Sequence, residues 1–207
     1  EINLKNSELD SKVKVVAVSK TFSLQNILPL IEYGHIHFGE NKVQEAELKW
    51  KEVKKKYSNI KLHMVGKLQT NKVKTALKIF DYIHSVDNYK LAETIFKHQR
   101  ILNKTSELFV QVNVGGEIQK NGIDLDKVKK LVSACQNDLS LNVIGFMCLP
   151  PRSDNTEKYF ATLRDLKKEN KLDHLSMGMS NDYKIAIKYG STFLRIGTKI
   201  FGDRLKN

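Results

Sequence analysis

One lysine of the chain stands where a buried strand is predicted to end. Residues 13–19 form an apolar, β-branched run that is typical of a buried strand, and Lys20 follows it directly. Partial desolvation at such a strand end lowers the pKa of a lysine, and the neutral amine can attack an aldehyde to form a Schiff base. The alternative interpretation is a surface lysine that begins a loop, which is the commoner place for this residue type.

A second group of candidate residues lies near the end of the sequence. Arg195 falls inside a run of otherwise apolar residues at 193–197, and a buried guanidinium needs acceptors, either from a ligand or from the protein. Ser180 precedes a short predicted helix, so its hydroxyl could cap that helix, the commoner role, or bind an anion. Gly197 would let a phosphate approach the backbone closely, or it forms a tight turn.

These candidates depend on an alternation of strands and helices along the chain. Strands are predicted at residues 13–19, 36–39, 62–66, 82–86, 108–114, 141–147, 174–178 and 193–197. Helices are predicted between them at residues 23–33, 42–56, 71–80, 88–100, 124–137, 155–170 and 182–189. Pro29 lies inside the first of these helices, where it is expected to introduce a kink.

Such an alternation predicts parallel strands, because parallel pairing needs a crossover connection. Eight units can close into a TIM-type (β/α)8 barrel, which would make residues 1–207 a single α/β domain. An open doubly wound sheet is the alternative, but it would carry a glycine-rich turn after the first strand, and residues 19–21 contain no glycine. In a barrel, the carboxyl ends of the strands form the active face, and the last two loops commonly bind phosphate.

Composition and charge exclude several other classes of protein. Apolar residues make up 41% of the 207 residues, which argues against a disordered chain, and no apolar run reaches the ~18 residues that cross a bilayer. Lys and Arg number 35 against 23 Asp and Glu, a net charge of +12 that attracts anions. The densest lysine patch, residues 49–56, contains Glu52 and is interpreted as a solvated lysine-rich face rather than a nucleic-acid stripe. We therefore expect neither a nucleic-acid nor a membrane partner.

The cysteines and histidines predict no metal site. Cys135 and Cys148 have no metal-ligand spacing and form no disulfide framework, so a reducing, cytoplasmic location is expected, and the polar first dozen residues show no signal-peptide pattern. His35 and His37 have strand spacing but no third ligand near them in sequence. Histidines inside predicted strands, such as His63, are interpreted as core or rim residues.

Seven short segments occur in a specific order along the chain. They are AVSKT at 17–21, FGENKVQE at 38–45, HMVGKLQTNK at 63–72, NVGGEIQKNG at 113–122, GFMC at 145–148, LSMGMSND at 175–182 and RIGTKIFGDR at 195–204. In these segments the chain resembles the YggS/PROSC family, the pyridoxal phosphate homeostasis proteins. The resemblance implies a (β/α)8 barrel of the alanine racemase N-terminal-domain kind, with pyridoxal 5′-phosphate (PLP) as the cofactor.

The resemblance also implies a set of cofactor-binding residues and their roles. They are Lys20, Asn41, Met179, Ser180, Arg195, Gly197 and Thr198. Lys20 is expected to hold the aldehyde as an internal aldimine, with Asn41 on the ring side and Arg195 facing the pyridine nitrogen. Ser180, Gly197 and Thr198 are expected to hold the phosphate, assisted by backbone amides near Met179.

The chain departs from the family pattern at three places. Leu62 stands where the family usually has Trp before the histidine, which affects packing at the third strand. Gly115, Gly116 and Ile118 replace a serine and a polar residue, so the role of the loop at 115–122 is open. The helix that usually precedes the first strand is expected to be short or absent, leaving the barrel bottom less well plugged.

The expected site indicates a carrier of PLP rather than a robust enzyme. A guanidinium beside the pyridine nitrogen disfavours ring protonation, and an unprotonated ring is a poor electron sink. A racemase also needs a second acid or base on the opposite ring face, which in the racemase relatives comes from a further β domain that we do not expect here. We therefore expect a monomeric PLP buffer that serves PLP-dependent apoenzymes. A weak amino-acid racemase is the alternative.

Overall fold

The computed structural model describes residues 13–117, 121–151 and 155–203 of the chain. Its strands are β1 Lys14–Val18, β2 His37–Glu40, β3 Lys61–Met64, β4 Tyr82–Val86, β5 Glu107–Val112, β6 Val143–Cys148, β7 His174–Ser176 and β8 Phe193–Ile196. Its helices are α1 Leu24–Glu32, α2 Val43–Lys56, α3 Val73–Ile79, α4 Tyr89–Leu102, α5 Val128–Ser133, α6 Thr156–Glu169, α7 Tyr183–Lys188 and α8 Thr198–Phe201. The N-terminal segment, Ile118 and Arg204 lie outside the described residues.

The strands form a closed parallel barrel in chain order. The first strand closes the ring by pairing with the last, in a register that sets Val16 beside Arg195 and Ala17 beside Ile196. The predicted (β/α)8 barrel is confirmed, and the open sheet is excluded. Because closure makes β1 and β8 neighbours, residues that follow the first strand lie next to residues that follow the last strand.

Several predicted boundaries differ from the observed ones. The third and fifth helices are shorter than predicted, since a 3₁₀ turn precedes each and a π turn at Ala134–Asp138 follows α5. The seventh strand ends at Ser176 rather than at residue 178, and α8 was not predicted. Pro29 remains inside a continuous α1, so it does not end that helix.

Apolar side chains fill two regions, one between the barrel and its helices and one inside the barrel. In the outer region, Phe38 packs against Trp50 with ring centroids 4.9 Å apart, and Leu62 is fully buried. Leu62 therefore changes outer packing rather than the site. The inner apolar cluster consists of Val16, Tyr82, Phe109, Met147 and Phe193. Every helix in the described ranges is too short or too polar to traverse a lipid bilayer.

Candidate functional site

A cavity of about 980 Å³ opens at the carboxyl ends of the barrel strands. It is lined by Val18, Lys20, Phe22, Asn41, Val65, Leu149, Pro150, Pro151, Thr156, Glu157, Met179, Ser180, Asn181, Asp182, Ile185, Arg195, Gly197 and Thr198. All seven residues that the sequence analysis selected are in this lining. The volume is at the upper end of the range of small-molecule sites, so the cavity is large enough for a cofactor.

A tight turn determines where Lys20 lies. The backbone N–H of Phe22 donates to the carbonyl of Ser19 at 3.2 Å, and Thr21 between them has a φ of +69°. A β-branched residue in this left-handed region carries about 1–3 kcal/mol of strain. The N–H of Thr21 donates to Glu45 Oε1 at 2.8 Å, which helps to hold the turn. The turn therefore fixes the backbone of Lys20 at the rim of the cavity.

A buried ion pair between Glu40 and Lys49 stabilises this turn through Ser19. Glu40 Oε1 accepts hydrogen bonds from Ser19 Oγ at 2.8 Å, Lys49 Nζ at 2.9 Å and Trp50 Nε1 at 3.0 Å. Lys49 Nζ also donates to the carbonyl of Ser19 at 3.0 Å. Glu40 is fully buried, and charge-assisted bonds are strong in such surroundings. The residue before Lys20 is thus anchored through both its side chain and its backbone.

Asn41 follows β2 and lines the cavity, and the backbone just after β3 comes very close to it. A Cβ added to Gly66 would overlap the backbone oxygen and Cα of Asn41. Only glycine permits this approach. The predicted position of Asn41 at the rim therefore depends on Gly66, whose role the sequence analysis did not identify.

Arg195 is buried in the cavity floor and paired with the protein. Its Nη1 donates to the carbonyl oxygen of Ser176 at 2.6 Å and to Ser176 Oγ at 2.7 Å, and its Nη2 donates to the carbonyl of Cys148 at 2.8 Å. Burial lowers the pKa of Arg195 from its ordinary value, although a guanidinium keeps its proton in proteins. The structural pairing that the sequence suggested is therefore observed, and contact with a ligand stays a prediction that the position of Arg195 in the cavity lining allows.

The loops after β7 and β8 meet beside Arg195. Ser180 Oγ accepts a hydrogen bond from the backbone N–H of Lys199 at 3.4 Å. The N-cap position of α7 belongs to Asp182, so Ser180 does not cap that helix. The backbone N–H of Met179 donates to Asp182 Oδ1 at 2.6 Å, which engages the amide that was expected to assist phosphate binding. Ser180 instead connects the loop after β7 to the first turn of α8.

Gly197 is not required by the fold itself. Its φ is −115°, which other residues adopt readily, and an added Cβ would meet Val18 at 3.6 and 3.8 Å, ordinary contact distances. Gly197 does begin a turn, since its carbonyl accepts from the backbone N–H of Ile200 at 2.9 Å, but this turn does not need glycine. Close approach of a ligand to the backbone, in contrast, requires a missing side chain. An amine, a guanidinium and an open backbone around one cavity fit the aldehyde, ring nitrogen and phosphate of PLP.

Several lining residues were not identified from the sequence. They include the apolar residues Phe22, Leu149, Pro150 and Pro151 and the acidic residues Glu157 and Asp182. Their positions in the sequence could have identified them, because each follows the carboxyl end of a strand or lies at the start of the next helix. Among the described residues, no group of three or more His, Cys, Asp or Glu side chains is placed to hold a metal ion.

Comparison with known proteins places the chain in a family. Residues 3–205 match the family described as alanine racemase, N-terminal domain. A pyridoxal phosphate homeostasis protein of Aquifex aeolicus is 38% identical over 200 residues, which cover 92% of this chain and 87% of that protein. Two structures of PipY from Synechococcus elongatus align over 95% of this chain and 95% of PipY. The structure without PLP has a TM-score of 0.87 and 33% identity, and the structure with PLP bound has a TM-score of 0.85 and 32% identity.

The chain therefore belongs to the alanine racemase N-terminal-domain family. Its close relatives within that family are the pyridoxal phosphate homeostasis proteins, which confirms the YggS/PROSC resemblance found in its motifs.

Proposed function

We propose that this chain binds PLP in the cavity at the carboxyl ends of the strands and holds it in reserve, as a part of vitamin B6 homeostasis. The convergence of Lys20, Arg195 and Gly197 on one cavity is the observation that carries the proposal. The relatives support it, since they are named pyridoxal phosphate homeostasis proteins and PipY has a structure with PLP bound.

Each part of the cavity lining has a proposed task. PLP, when bound, supplies an aldehyde that an amine can bond reversibly. Lys20 would hold the cofactor, because its Nζ is the amine of the cavity lining that would bond to this aldehyde. Asn41 lines the ring side of the cofactor. The phosphate would be bound by the hydroxyls of Ser180 and Thr198 and by the backbone at Gly197. The loop that contains Met179 would lie beside the phosphate.

The surroundings of Arg195 favour a carrier over a catalyst. A guanidinium next to the ring nitrogen keeps that nitrogen unprotonated, because two positive charges would face each other. This weakens the ability to stabilise a carbanion. The two carboxylates of the described lining already accept hydrogen bonds from the protein. Asp182 accepts one from the Met179 amide, and Glu157 accepts one from the hydroxyl of Tyr189 at 3.1 Å. A weak amino-acid racemase remains the second candidate.

We also propose a monomer that acts in the cytoplasm and passes PLP to apoenzymes that use it. Cys135 and Cys148 are free and buried, and burial raises the pKa of Cys148 to about 12, so this thiol stays protonated and unreactive. Buried free thiols fit a reducing compartment. Nucleic acids and membranes are not among the proposed partners.

Borohydride trapping tests the assignment of Lys20. The purified protein is mixed with PLP, its visible absorbance is recorded, and the bond is reduced before peptide mapping by mass spectrometry. We expect the phosphopyridoxyl group on Lys20, no stable absorbance band in Lys20→Ala, and an unchanged band in Lys67→Ala, an exposed lysine at the same rim. A Lys20→Ala protein that keeps the covalent band would overturn the assignment.

Deuterium exchange distinguishes the carrier from the racemase. An amino acid is incubated with the PLP-loaded protein in deuterated water, and the loss of its Cα hydrogen is followed by NMR. A rate close to that of free PLP is expected for a carrier. A rate far above that of free PLP would favour the racemase.

A further inference from the structure

A hydrogen-bonded chain of three histidines crosses the barrel interior and ends at Arg195. His37 Nδ1 lies 2.9 Å from His63 Nε2, and His63 Nδ1 lies 2.9 Å from His84 Nε2. His84 Nδ1 lies 2.8 Å from Ser176 Oγ, which also accepts the bond from Arg195. His37, His63 and His84, here called the histidine chain, come from β2, β3 and β4. The chain therefore connects the amino-terminal end of the barrel to the cavity floor.

The guanidinium determines the direction of every bond in this series. Arg195 can only donate, so Ser176 Oγ accepts from it and uses its own hydrogen to donate to His84 Nδ1. His84 then carries its hydrogen on Nε2 and donates to His63 Nδ1. By the same reasoning, His63 donates from Nε2 to His37 Nδ1. Since Ser176 Oγ has no third partner among the described residues, the reverse direction would leave its hydrogen unpaired.

The surroundings of the two inner histidines keep them neutral and rigid. His63 and His84 are fully buried, and burial is the main cause that holds the pKa of each well below the ordinary value. His63 stacks on Tyr82 with centroids 4.2 Å apart, and His84 stacks on Phe109 at 4.3 Å. A neutral imidazole has one donor and one acceptor nitrogen, so it fixes the direction of the hydrogen bonds on both sides only while its ring cannot turn.

We propose that His63 and His84 are positioning residues for the cofactor, because they orient the Ser176 hydroxyl so that its oxygen holds the Arg195 guanidinium against the cavity floor. The inference rests on the proposed function, in which Arg195 faces the ring nitrogen of PLP. Without His84, the hydrogen of the buried Ser176 hydroxyl would lose its acceptor, so the hydroxyl would no longer be held in one orientation and its bond to Arg195 would weaken. The guanidinium would then be free to shift relative to the ring.

The first test reads the hydrogen positions in the cofactor-free protein. Nitrogen-15 NMR of labelled histidines at neutral pH distinguishes the two tautomers of a neutral ring. We expect His63 and His84 to carry their hydrogen on Nε2. A hydrogen on Nδ1 of His84 would reverse the series and overturn the proposal, whatever the behaviour towards PLP.

The second test compares two substitutions of His84. His84→Phe keeps the stacking on Phe109 but removes the acceptor for Ser176, whereas His84→Asn keeps an acceptor near the position of Nδ1. Loss of one buried hydrogen bond predicts that PLP binds about tenfold more weakly to His84→Phe, with a shifted absorbance maximum, while His84→Asn restores both. The matched control is His174→Asn, a histidine outside the histidine chain that bonds to Thr192, and it should leave PLP affinity unchanged.

The outcomes separate this inference from the proposed function. Normal trapping on Lys20 with unchanged affinity and absorbance in His84→Phe would overturn the positioning role alone. Absence of trapping on Lys20 in the wild-type protein would overturn the proposed function and this role together. If His84→Phe does not fold, Ser176→Ala carries the test, since it removes the acceptor at Arg195 directly. Wild-type affinity and absorbance in Ser176→Ala would then refute the role.

Discussion

Mild acid is expected to destabilise this protein through its buried histidines. The pKa of His37 is lowered from 6.5 to about 4, first by burial and then by Lys14, His35 and Lys61, with Asp81 acting in the opposite direction. The unfolded chain therefore takes up a proton on this residue below pH 6.5, whereas the folded protein resists until the pH nears 4. Stability is full above pH 6.5 and falls as the pH drops through this window.

The size of the loss follows from the same shift. At pH 5, linkage gives about 2 kcal/mol for His37 alone. Because this ring is only partly buried, solvent screening reduces the contribution to about 1 kcal/mol. His63 and His84 shift in the same direction for the same main cause and add to the loss.

Urea unfolding at pH 7 and pH 5 measures the effect. We expect the wild-type free energy of unfolding to fall by more than about 1 kcal/mol between the two values. The matched variant His37→Gln cannot titrate at that position, so its loss should be smaller by about 1 kcal/mol. Equal losses in both proteins, or a wild-type stability that does not change with pH, would refute the reasoning.

Two further predictions concern the support of Lys20 and the phosphate side of the cavity. Glu40→Gln removes the buried carboxylate at 2.9 Å from Lys49 Nζ, which keeps only Glu45 at 3.6 Å, and should cost about 2 kcal/mol in urea unfolding, whereas Glu52→Gln on the surface should change nothing. A Glu40→Gln protein of wild-type stability would contradict the anchoring of the turn. Gly197→Ala should leave the melting temperature unchanged, since its Cβ meets Val18 only at ordinary distances, yet weaken PLP binding in an absorbance titration. Unchanged PLP affinity would show that no ligand approaches that backbone.

Much of the architecture follows from local patterns in the sequence. Apolar runs of strand length alternate with amphipathic segments, and parallel strands connected in this way pair in chain order until they close. The placement of Lys20 at a strand end is equally local, because the run at residues 13–19 determines where the strand stops. The barrel and the rim position of Lys20 could therefore be predicted before any contact was known. Helix lengths were less accurate, because 3₁₀ and π turns depend on packing.

The partners of individual polar groups were decided only by the tertiary structure. No local pattern connects Arg195 with the carbonyl of Cys148, or His84 with Ser176, since these residues lie on different strands and far apart in sequence. Ser180 shows the same limit, because its hydroxyl accepts a hydrogen bond from the first turn of α8 rather than capping α7, which follows it in sequence. The physical reason is the register of a closed barrel. Strand pairing around the whole ring determines which inward side chains share a layer, and hydrogen bonds then form between whichever donors and acceptors meet there.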